Sequence, residues 1–133
     1  MRIYISGPMT NHPDFNRPAF DAAEKRLTAQ GYFVINPHRI SNLFGSAEEL
    51  TASFKEYYRM LDLDANFLDH TLATQILERI RIACAVLDAD LAAVHSCDAI
   101  YLLRGWESSR GAKKELAEAL AHGLQVMQEG GMP

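Results

Sequence analysis

A glutamate within an apolar helical pattern is the first residue of this sequence that could do chemistry. Glu115 lies among apolar side chains that recur at helical spacing, namely Ala112, Leu116, Ala119 and Leu120. The spacing predicts that these four face a core and that Glu115 lies beside them in the second turn. A carboxylate near a helix N-terminus is held ionised by exposed N–H groups and the helix dipole. Periodicity leaves two roles open, a functional carboxylate and a solvated side chain on the helix flank.

The start of the same helix has the residue types of an anion site. Ser108 and Ser109 precede Gly111 where the helix is predicted to begin, so hydroxyls and free N–H groups could point at a bound anion. The same serines could act only as N-caps. Trp106 could stack on a base or cover the end of a sheet. The nearby cations are Arg17, Arg110, Lys113 and Lys114.

Three other polar positions are candidates for the same site. Ser6 and Gly7 follow an apolar run, and a glycine there lets the backbone approach a ligand closely. Asp90 is an acidic candidate, although Asp90 and Asp88 also fit a solvated helix surface. Asp98 precedes an apolar run and fits a turn or capping role better than a catalytic one.

The elements that would position these residues follow from the apolar patterns. Apolar runs ended by turn residues predict four strands, at residues 2–6, 32–35, 98–103 and 124–127. Helical spacing predicts one helix between the N-cap Asn16 and Gly31, and another that Gly123 ends. Ser46 and Glu49 form a capping-box pair that starts a third helix.

The middle of the chain is predicted to be helical for most of its length. Residues 46–104 contain no Gly or Pro, and a continuous helix over about 71–96 would be about 40 Å long. Apolar residues outside its main stripe, among them Ile82 and Val86, indicate packing on another chain or on the helix that starts at Ser46. The alternative, a short strand over residues 82–87, fits the flanking charges less well.

The order of elements predicts an α/β fold. A strand, a helix and a strand at the start form a βαβ unit with parallel strands and a right-handed crossover. The loops after Ser6, after Ile35 and from Arg104 to Lys114 then open on one edge, where parallel sheets bind ligands. We expect a single domain over residues 1–133, a small flavodoxin-like or Rossmann-like three-layer sandwich with four or five parallel strands and a helical insertion at about 46–96.

Composition and missing motifs narrow the function classes. A net charge of −4 argues against a nucleic-acid polymer as partner, and neither a Walker A loop nor a G-x-G-x-x-G fingerprint is present. The two cysteines and five histidines show no metal-ligand spacing, so we expect no metal and no other cofactor. An apolar strand from Arg2 is not a signal peptide, and no apolar run has membrane-spanning length, which indicates a cytoplasmic protein without membrane contact.

Several segments together resemble the nucleoside 2-deoxyribosyltransferase-like superfamily. These segments are ISGPMT (residues 5–10), PDFNRPAFDAAEKRL (13–27), the strand ending in Asn36-Pro37, and CDAIYLLRGWESSRGAKKELAEALAHG (97–123). The sequence is most similar to a small branch found in phages and bacteria, and it also resembles the 2′-deoxynucleoside 5′-phosphate N-hydrolases. The resemblance covers about half of the chain.

The resemblance implies roles for particular residues. The superfamily pattern G-x-x-x-E-x-x-x-A places Glu115 as the nucleophile, and Asp90, eight residues before Asp98, as the aspartate that contacts the sugar. Ser109 matches the serine that binds the 5′-phosphate. The resemblance also implies a homo-oligomer that completes its sites with a neighbouring subunit. Further substrate contacts are predicted for residues of the loops at the same edge, namely Ser6, Gly7, Pro8, Met9, Arg17, Trp106, Ser108 and Gly111.

The implied activity is hydrolysis or transfer of the N-glycosidic bond of a 2′-deoxynucleoside or its 5′-monophosphate through a covalent glutamyl-sugar intermediate. Hydrolysis is favoured because Ser108, Ser109 and Arg110 offer an anion site. Two alternatives remain open. One is a protein that binds or sequesters nucleotides without turnover, and the other is a helical interaction protein on an α/β scaffold.

Overall fold

Four parallel strands form the sheet in the computed structural model, which describes residues 1–9, 12–62 and 70–130. The strands are β1 (Arg2–Ser6), β2 (Phe33–Ile35), β3 (Ala99–Leu102) and β4 (Gln125–Gln128), in the order β2-β1-β3-β4. Each begins and ends within about one residue of the bounds that the turn residues predict. The predicted α/β fold with a parallel sheet is therefore confirmed.

Five helices accompany these strands in the described residues. They are α1 (Arg17–Ala29), α2 (Pro37–Ser41), α3 (Ala47–Leu61), α4 (His70–His95) and α5 (Arg110–Ala121). A short turn with left-handed backbone covers Pro13–Asn16, and a 3-10 turn covers Trp106–Ser108. The helix α4 has 26 residues without interruption, so the predicted long helix is confirmed and the alternative strand at residues 82–87 is wrong.

Local capping signals decide several of the helix ends. The capping box of Ser46 and Glu49 is complete, with both hydrogen bonds at 3.1 Å. At the end of α5 the N–H of Leu124 donates to Ala119 O and the N–H of Gly123 donates to Leu120 O. This pair of bonds is a Schellman motif, and it needs the positive φ of 75° at Gly123. The glycine therefore ends the helix where the sequence predicts.

Asn16 occupies the predicted N-cap position of α1 but does not cap it. Its backbone is left-handed, with φ of 61°, and its side chain makes no capping hydrogen bond. The amide Nδ2 donates instead to Pro8 O at 2.9 Å. The side chain thus holds the loop after β1, because the left-handed backbone turns it away from the first N–H groups of the helix.

The chain divides into two compact units, one of Met1–Arg39 with Asp90–Pro133 and one of Ile40–Ala89. In the second unit, Ser53 Oγ of α3 accepts a hydrogen bond from Ala83 N of α4 at 2.9 Å. Val86, one of the apolar residues outside the predicted stripe, is buried. The packing of α4 on the helix that starts at Ser46 is therefore confirmed.

The first unit contains the sheet and has helices on both faces. Ile3 and Ile5 of β1 pack in one core cluster with three residues of α1, namely Phe20, Ala23 and Leu27. Successive side chains of a strand point to opposite faces, so Tyr4 and Ser6 face away from α1. Both bond to Glu115 of α5, which places α5 on the opposite face.

The strand order reverses between β1 and β3. From β1 the chain moves outward to β2 through α1, and from β3 it moves outward in the other direction to β4 through α5. Open parallel sheets bind ligands in the crevice at the carboxyl ends of the strands where this reversal occurs. The crevice in this sheet lies beyond Ser6 and Leu102.

None of the described helices is both long and apolar enough to cross a bilayer. The longest, α4, carries charged side chains along its length.

Candidate active site

The carboxylate of Glu115 is held by two hydroxyl groups from the central strand. Tyr4 Oη donates to Oε2 and Ser6 Oγ donates to Oε1, each at 2.6 Å. Tyr4 and Ser6 lie two residues apart on β1, so both hydroxyls reach the same face of the sheet. The arrangement fixes both oxygens of one carboxylate near the carboxyl end of β1.

The buried side of α5 includes Glu115, which faces the sheet, and excludes Leu120, which was predicted to be buried. Ala112 and Ala119 are buried as predicted, but Leu120 is 60% exposed, so its predicted place in the core is wrong. At about 100° per residue, Leu120 lies about 80° from Ala112 in one direction and Glu115 about 60° in the other. The buried stripe is thus rotated toward Glu115.

Burial raises the pKa of Glu115 to about 7, and the hydrogen bonds from Ser6 and Tyr4 only partly oppose this effect. The side chain keeps some exposure, but its carboxylate is packed among protein atoms. We expected the helix N-terminus to hold this group ionised. That effect is confined to about one turn, and Glu115 is the sixth residue of α5, so desolvation dominates.

Asp90 is the second carboxyl group of the site. Its side chain is only 7% exposed, and its Oδ1 is a buried atom with no hydrogen-bond partner among the described residues. Burial, together with the negative charge of nearby Glu115, raises the pKa of Asp90 to about 8. The interpretation of Asp90 as a solvated helix charge is therefore wrong, whereas Asp88 is exposed.

Tyr4 is a site residue that the sequence analysis missed. It is fully buried, and burial, followed by the charges of Glu115 and Asp90, raises its pKa well above the ordinary value. The hydroxyl therefore stays protonated and donates to Glu115. Tyr4 and Ser6 are two hydroxyl-bearing residues at alternate positions of an apolar strand, and this alternation was the signal that could have identified the pair.

The loop after β1 lies at the crevice. Gly7 and Pro8 are buried and Met9 is half-buried against the core cluster. A Cβ atom at Gly7 would lie 2.7 Å from Leu103 Cβ, so this close approach of the loop to β3 requires glycine. Thr10, the last residue of the ISGPMT segment, lies outside the described residues.

Arg17 is half-buried and its Nε lies 3.7 Å from Asp14 Oδ2. The backbone before it is left-handed at Asp14, Phe15 and Asn16, with φ between 51° and 61°. Such a conformation costs roughly 1–2 kcal/mol per residue for side chains other than glycine. The backbone is therefore strained in the three residues that precede Arg17, the first residue of α1.

The loop after β3 carries the predicted anion-binding residues. Ser109 Oγ accepts a hydrogen bond from Ala112 N at 3.1 Å, so Ser109 is the N-cap of α5 and its hydroxyl keeps a hydrogen to donate. Ser108 is exposed and its Oγ donates to Gly105 O at 2.9 Å. Trp106 and Gly111 are half-buried. The N-capping role of Ser109 is established, and this role leaves an anion contact possible.

Asp98 has the structural role that its position at a strand start predicts. Its Oδ2 accepts a hydrogen bond from Arg2 N at 2.8 Å, and this bond joins the starts of β1 and β3. These atoms lie at the amino ends of parallel strands. Asp98 is therefore at the opposite edge from the crevice.

Comparison of the sequence with family models gives a match over nearly the whole chain. Residues 1–69 and 70–128 match the family described as "Domain of unknown function (DUF4406)". The chain belongs to this DUF4406 family. No curated protein sequence matches the DUF4406 chain significantly.

A solved structure shares the fold of this DUF4406 chain. It is a 2-deoxyribosyltransferase from the psychrotolerant bacterium Bacillus psychrosaccharolyticus, described as a biocatalyst for the synthesis of nucleosides. The match has a TM-score of 0.55 and 17% sequence identity, and it covers 100% of this chain and 77% of the other. The resemblance to the nucleoside 2-deoxyribosyltransferase-like superfamily is therefore confirmed at the level of the fold.

Proposed function

We propose that this protein cleaves the N-glycosidic bond of 2′-deoxynucleosides or their 5′-monophosphates, with Glu115 as the nucleophile. The observation that carries the proposal is the carboxylate of Glu115, fixed at the crevice by Tyr4 and Ser6 at 2.6 Å each. Two hydroxyl donors aim the carboxylate and limit its rotation, which favours attack from one direction. The shared fold with a 2-deoxyribosyltransferase supports the substrate class.

The first step is displacement of the base by the carboxylate. One oxygen of ionised Glu115 attacks C1′ of the 2-deoxyribosyl group while the bond from C1′ to the base nitrogen breaks, through an oxocarbenium-like transition state. Asp90 starts in its protonated form and donates its proton to the departing base as this bond breaks. The products of this step are the protonated base and a glutamyl-sugar ester.

The second step regenerates the enzyme. A water molecule attacks C1′ and loses a proton to ionised Asp90, while the ester bond breaks and returns the carboxylate of Glu115. A second base in place of water would give a new nucleoside. The difference between hydrolysis and transfer thus depends only on which acceptor enters after the first base has left.

The pKa values of the two carboxyl groups suit these roles. With a pKa of about 7 for Glu115 and about 8 for Asp90, the pair passes through a state in which Glu115 is ionised and Asp90 is protonated. This state is the one that a nucleophile and a general acid require. Because their environments differ, Glu115 can act as the nucleophile while Asp90 acts as the general acid.

The residues at the start of α5 support a 5′-monophosphate as the substrate. The free N–H groups of the first turn and the hydroxyl of Ser109 are suited to bind a phosphate. Gly111 lies in that turn, and a Cβ atom there would have no closer described neighbour than Ser109 Oγ at 4.0 Å. Phosphate oxygens can thus approach the backbone, and hydrolysis is favoured over transfer.

The experiment is incubation with a panel of 2′-deoxynucleosides, ribonucleosides and their 5′-monophosphates, with free base measured by chromatography. We expect free base from at least one 2′-deoxy substrate and none from Glu115→Gln. A covalent glutamyl-sugar adduct should be detectable by mass spectrometry after rapid acid quench. Binding of these ligands without free base would favour a sequestering protein, and failure of all of them to bind would favour an interaction protein.

A further inference from the structure

The ends of two helices bring three possible metal ligands together. His95 is the last residue of α4, and Glu118 and His122 lie one helical turn apart on α5 and at its C-cap. One nitrogen or oxygen atom of each side chain lies within 4.8 Å of those of the other two. His95 lies 23 positions before Glu118 in the sequence, so spacing along the chain does not predict that the three side chains meet.

Both imidazole rings direct a nitrogen at the same carboxylate oxygen. His95 Nε2 lies 2.9 Å and His122 Nε2 lies 3.7 Å from Glu118 Oε2. The two ring centroids are 4.0 Å apart, with an interplanar angle of 44°. The three donor atoms therefore converge on one small volume instead of pointing into separate regions of solvent.

We propose that His95, Glu118 and His122 bind a divalent transition-metal ion of the Zn²⁺ type. At Zn–N and Zn–O distances of about 2.0–2.2 Å, two ligand atoms of a tetrahedral site lie roughly 3.4 Å apart. The two distances to Glu118 Oε2, 2.9 and 3.7 Å, bracket that value. The ligand nitrogens of His95 and His122 lie within 4.8 Å of each other. Rotation of these two exposed side chains brings the nitrogens to the distance that a tetrahedral site needs.

The donor types decide which ions the site selects. Two imidazole nitrogens and one carboxylate oxygen suit Zn²⁺, Ni²⁺ and Cu²⁺, whereas Mg²⁺ and Ca²⁺ prefer sites made of oxygen alone. The described residues supply three ligands, which leaves at least one coordination position for water or an external ligand. The positive charge of nearby Lys114 opposes binding in part.

The helix ends add a second contribution to binding of a cation. α4 ends at His95, and α5 ends at Ala121 with His122 as its C-cap, so the C-terminal ends of the two helices meet at the cluster. The aligned peptide dipoles give each helix C-terminus a partial negative charge that stabilises a nearby cation. A bound ion would join the end of α4 to α5, the two helices that carry Asp90 and Glu115.

The alternative is a surface hydrogen bond between a histidine and a glutamate, which an exposed pair can form without any ion. Zn²⁺ affinity distinguishes the two, because only a metal site requires all three side chains. The affinity is measured by competition with a chromophoric chelator on protein first freed of metal. The readout needs no substrate, so it is independent of the proposed glycosidic activity.

The matched variants are His95→Gln, Glu118→Gln and His122→Gln, with His12→Gln as control because His12 is an exposed histidine outside the cluster. We expect one Zn²⁺ per chain in the wild type and the control, and at least about a tenfold loss of affinity in each ligand variant, since even residues that only orient a ligand contribute about 10–100-fold.

Thermal unfolding provides the second measurement. Zn²⁺ should raise the Tm of the wild type and of His12→Gln, because an ion that binds only the folded state stabilises it. The triple variant should show no such rise while keeping its helical circular dichroism. Equal Zn²⁺ affinity in the wild type and the triple variant would overturn the proposal, as would a loss of affinity in His12→Gln equal to that of the ligand variants.

Discussion

Ser6 and Glu115 are 109 residues apart in the sequence, and their side chains are joined by a hydrogen bond of 2.6 Å. Ser6 ends the central strand and Glu115 lies in the middle of α5. The parallel sheet brings the two together because β1 and β3 are neighbours and α5 follows β3. The expected behaviour of the site follows from this bond and from the groups around it.

Replacement of Glu115 by Gln should abolish turnover and preserve the fold. The amide has the size of the carboxylate but cannot form the sugar ester, so we expect a loss of roughly 10³-fold or more in kcat. Glu78→Gln is the matched control, because Glu78 is exposed and its ion pair with Arg81 contributes little to stability. Turnover by Glu115→Gln at the wild-type rate would exclude Glu115 as the nucleophile.

Turnover should show a narrow, bell-shaped dependence on pH. The rate should rise as Glu115 ionises near pH 7 and fall as Asp90 loses its proton near pH 8. The measurement is kcat/KM of the free enzyme from pH 5 to pH 10, with a substrate that does not titrate in that range. A rate that is flat between about pH 5 and pH 9 would show that the two carboxyl groups do not have these roles.

Asp90→Asn should lower activity and raise stability at alkaline pH. The pKa of Asp90 is raised by folding, so its stabilising contribution is full below the unfolded-state pKa and is lost as pH rises through about 8. The asparagine carries no charge to bury, so above pH 8 the variant should unfold at higher urea concentration than the wild type. Asp88→Asn, at an exposed position of the same helix, should change neither property.

Tyr4→Phe should lower the ionised fraction of Glu115 at neutral pH and leave the space of the ring filled. The lost hydrogen bond lowers the pKa of Glu115 in the wild type, so its removal should move the rising limb of the pH profile to higher pH. Near pH 7 a smaller ionised and aligned fraction of Glu115 should lower kcat/KM, and the about 1.5–3 kcal/mol of a hydrogen bond to a charged group bounds this loss at roughly 10–100-fold. Tyr32→Phe, at a half-buried tyrosine in the same unit, is the control. An unchanged limb would contradict the role of Tyr4.

Two glycine substitutions should have opposite effects on stability. Gly7→Ala places a Cβ 2.7 Å from Leu103 Cβ, and we expect a destabilisation of about 1–3 kcal/mol. Gly111→Ala meets no described atom closer than 4.0 Å and adds a better helix former, so it should stabilise by up to about 1 kcal/mol. Urea unfolding measures both. If Gly111 contacts the phosphate, its variant should also bind monophosphates more weakly while nucleosides are unaffected.

The sequence predicted the fold well because its signals are local. Turn residues after short apolar runs gave all four strands, and the glycines at 31 and 123 ended α1 and α5 through their positive φ values. The capping box at Ser46 required only two residues three positions apart. Such patterns are visible without knowledge of tertiary contacts.

The sequence predicted less of the candidate site, because the properties of the site depend on tertiary contacts and burial. Glu115 was found, but its raised pKa depends on the protein atoms packed around it, which the helix position alone does not reveal. Asp90 could not be distinguished from exposed Asp88 by charge pattern. Tyr4 was predicted only as part of the apolar strand at residues 2–6, since a tyrosine in a buried strand is ordinary unless its hydroxyl has a known partner. His95, Glu118 and His122 lie together only because the end of α4 lies beside the end of α5, and the sequence does not show that arrangement.

The position of Tyr4 and Ser6 on β1 has a consequence for the free protein. β1 is hydrogen-bonded to a strand on each side, so its two hydroxyl donors are carried by the backbone least able to shift. Their orientation is settled during folding, and no rearrangement of the strand is needed when a sugar arrives. The entropic cost of aligning the reacting oxygen is therefore met before the encounter, and the crevice is preorganised.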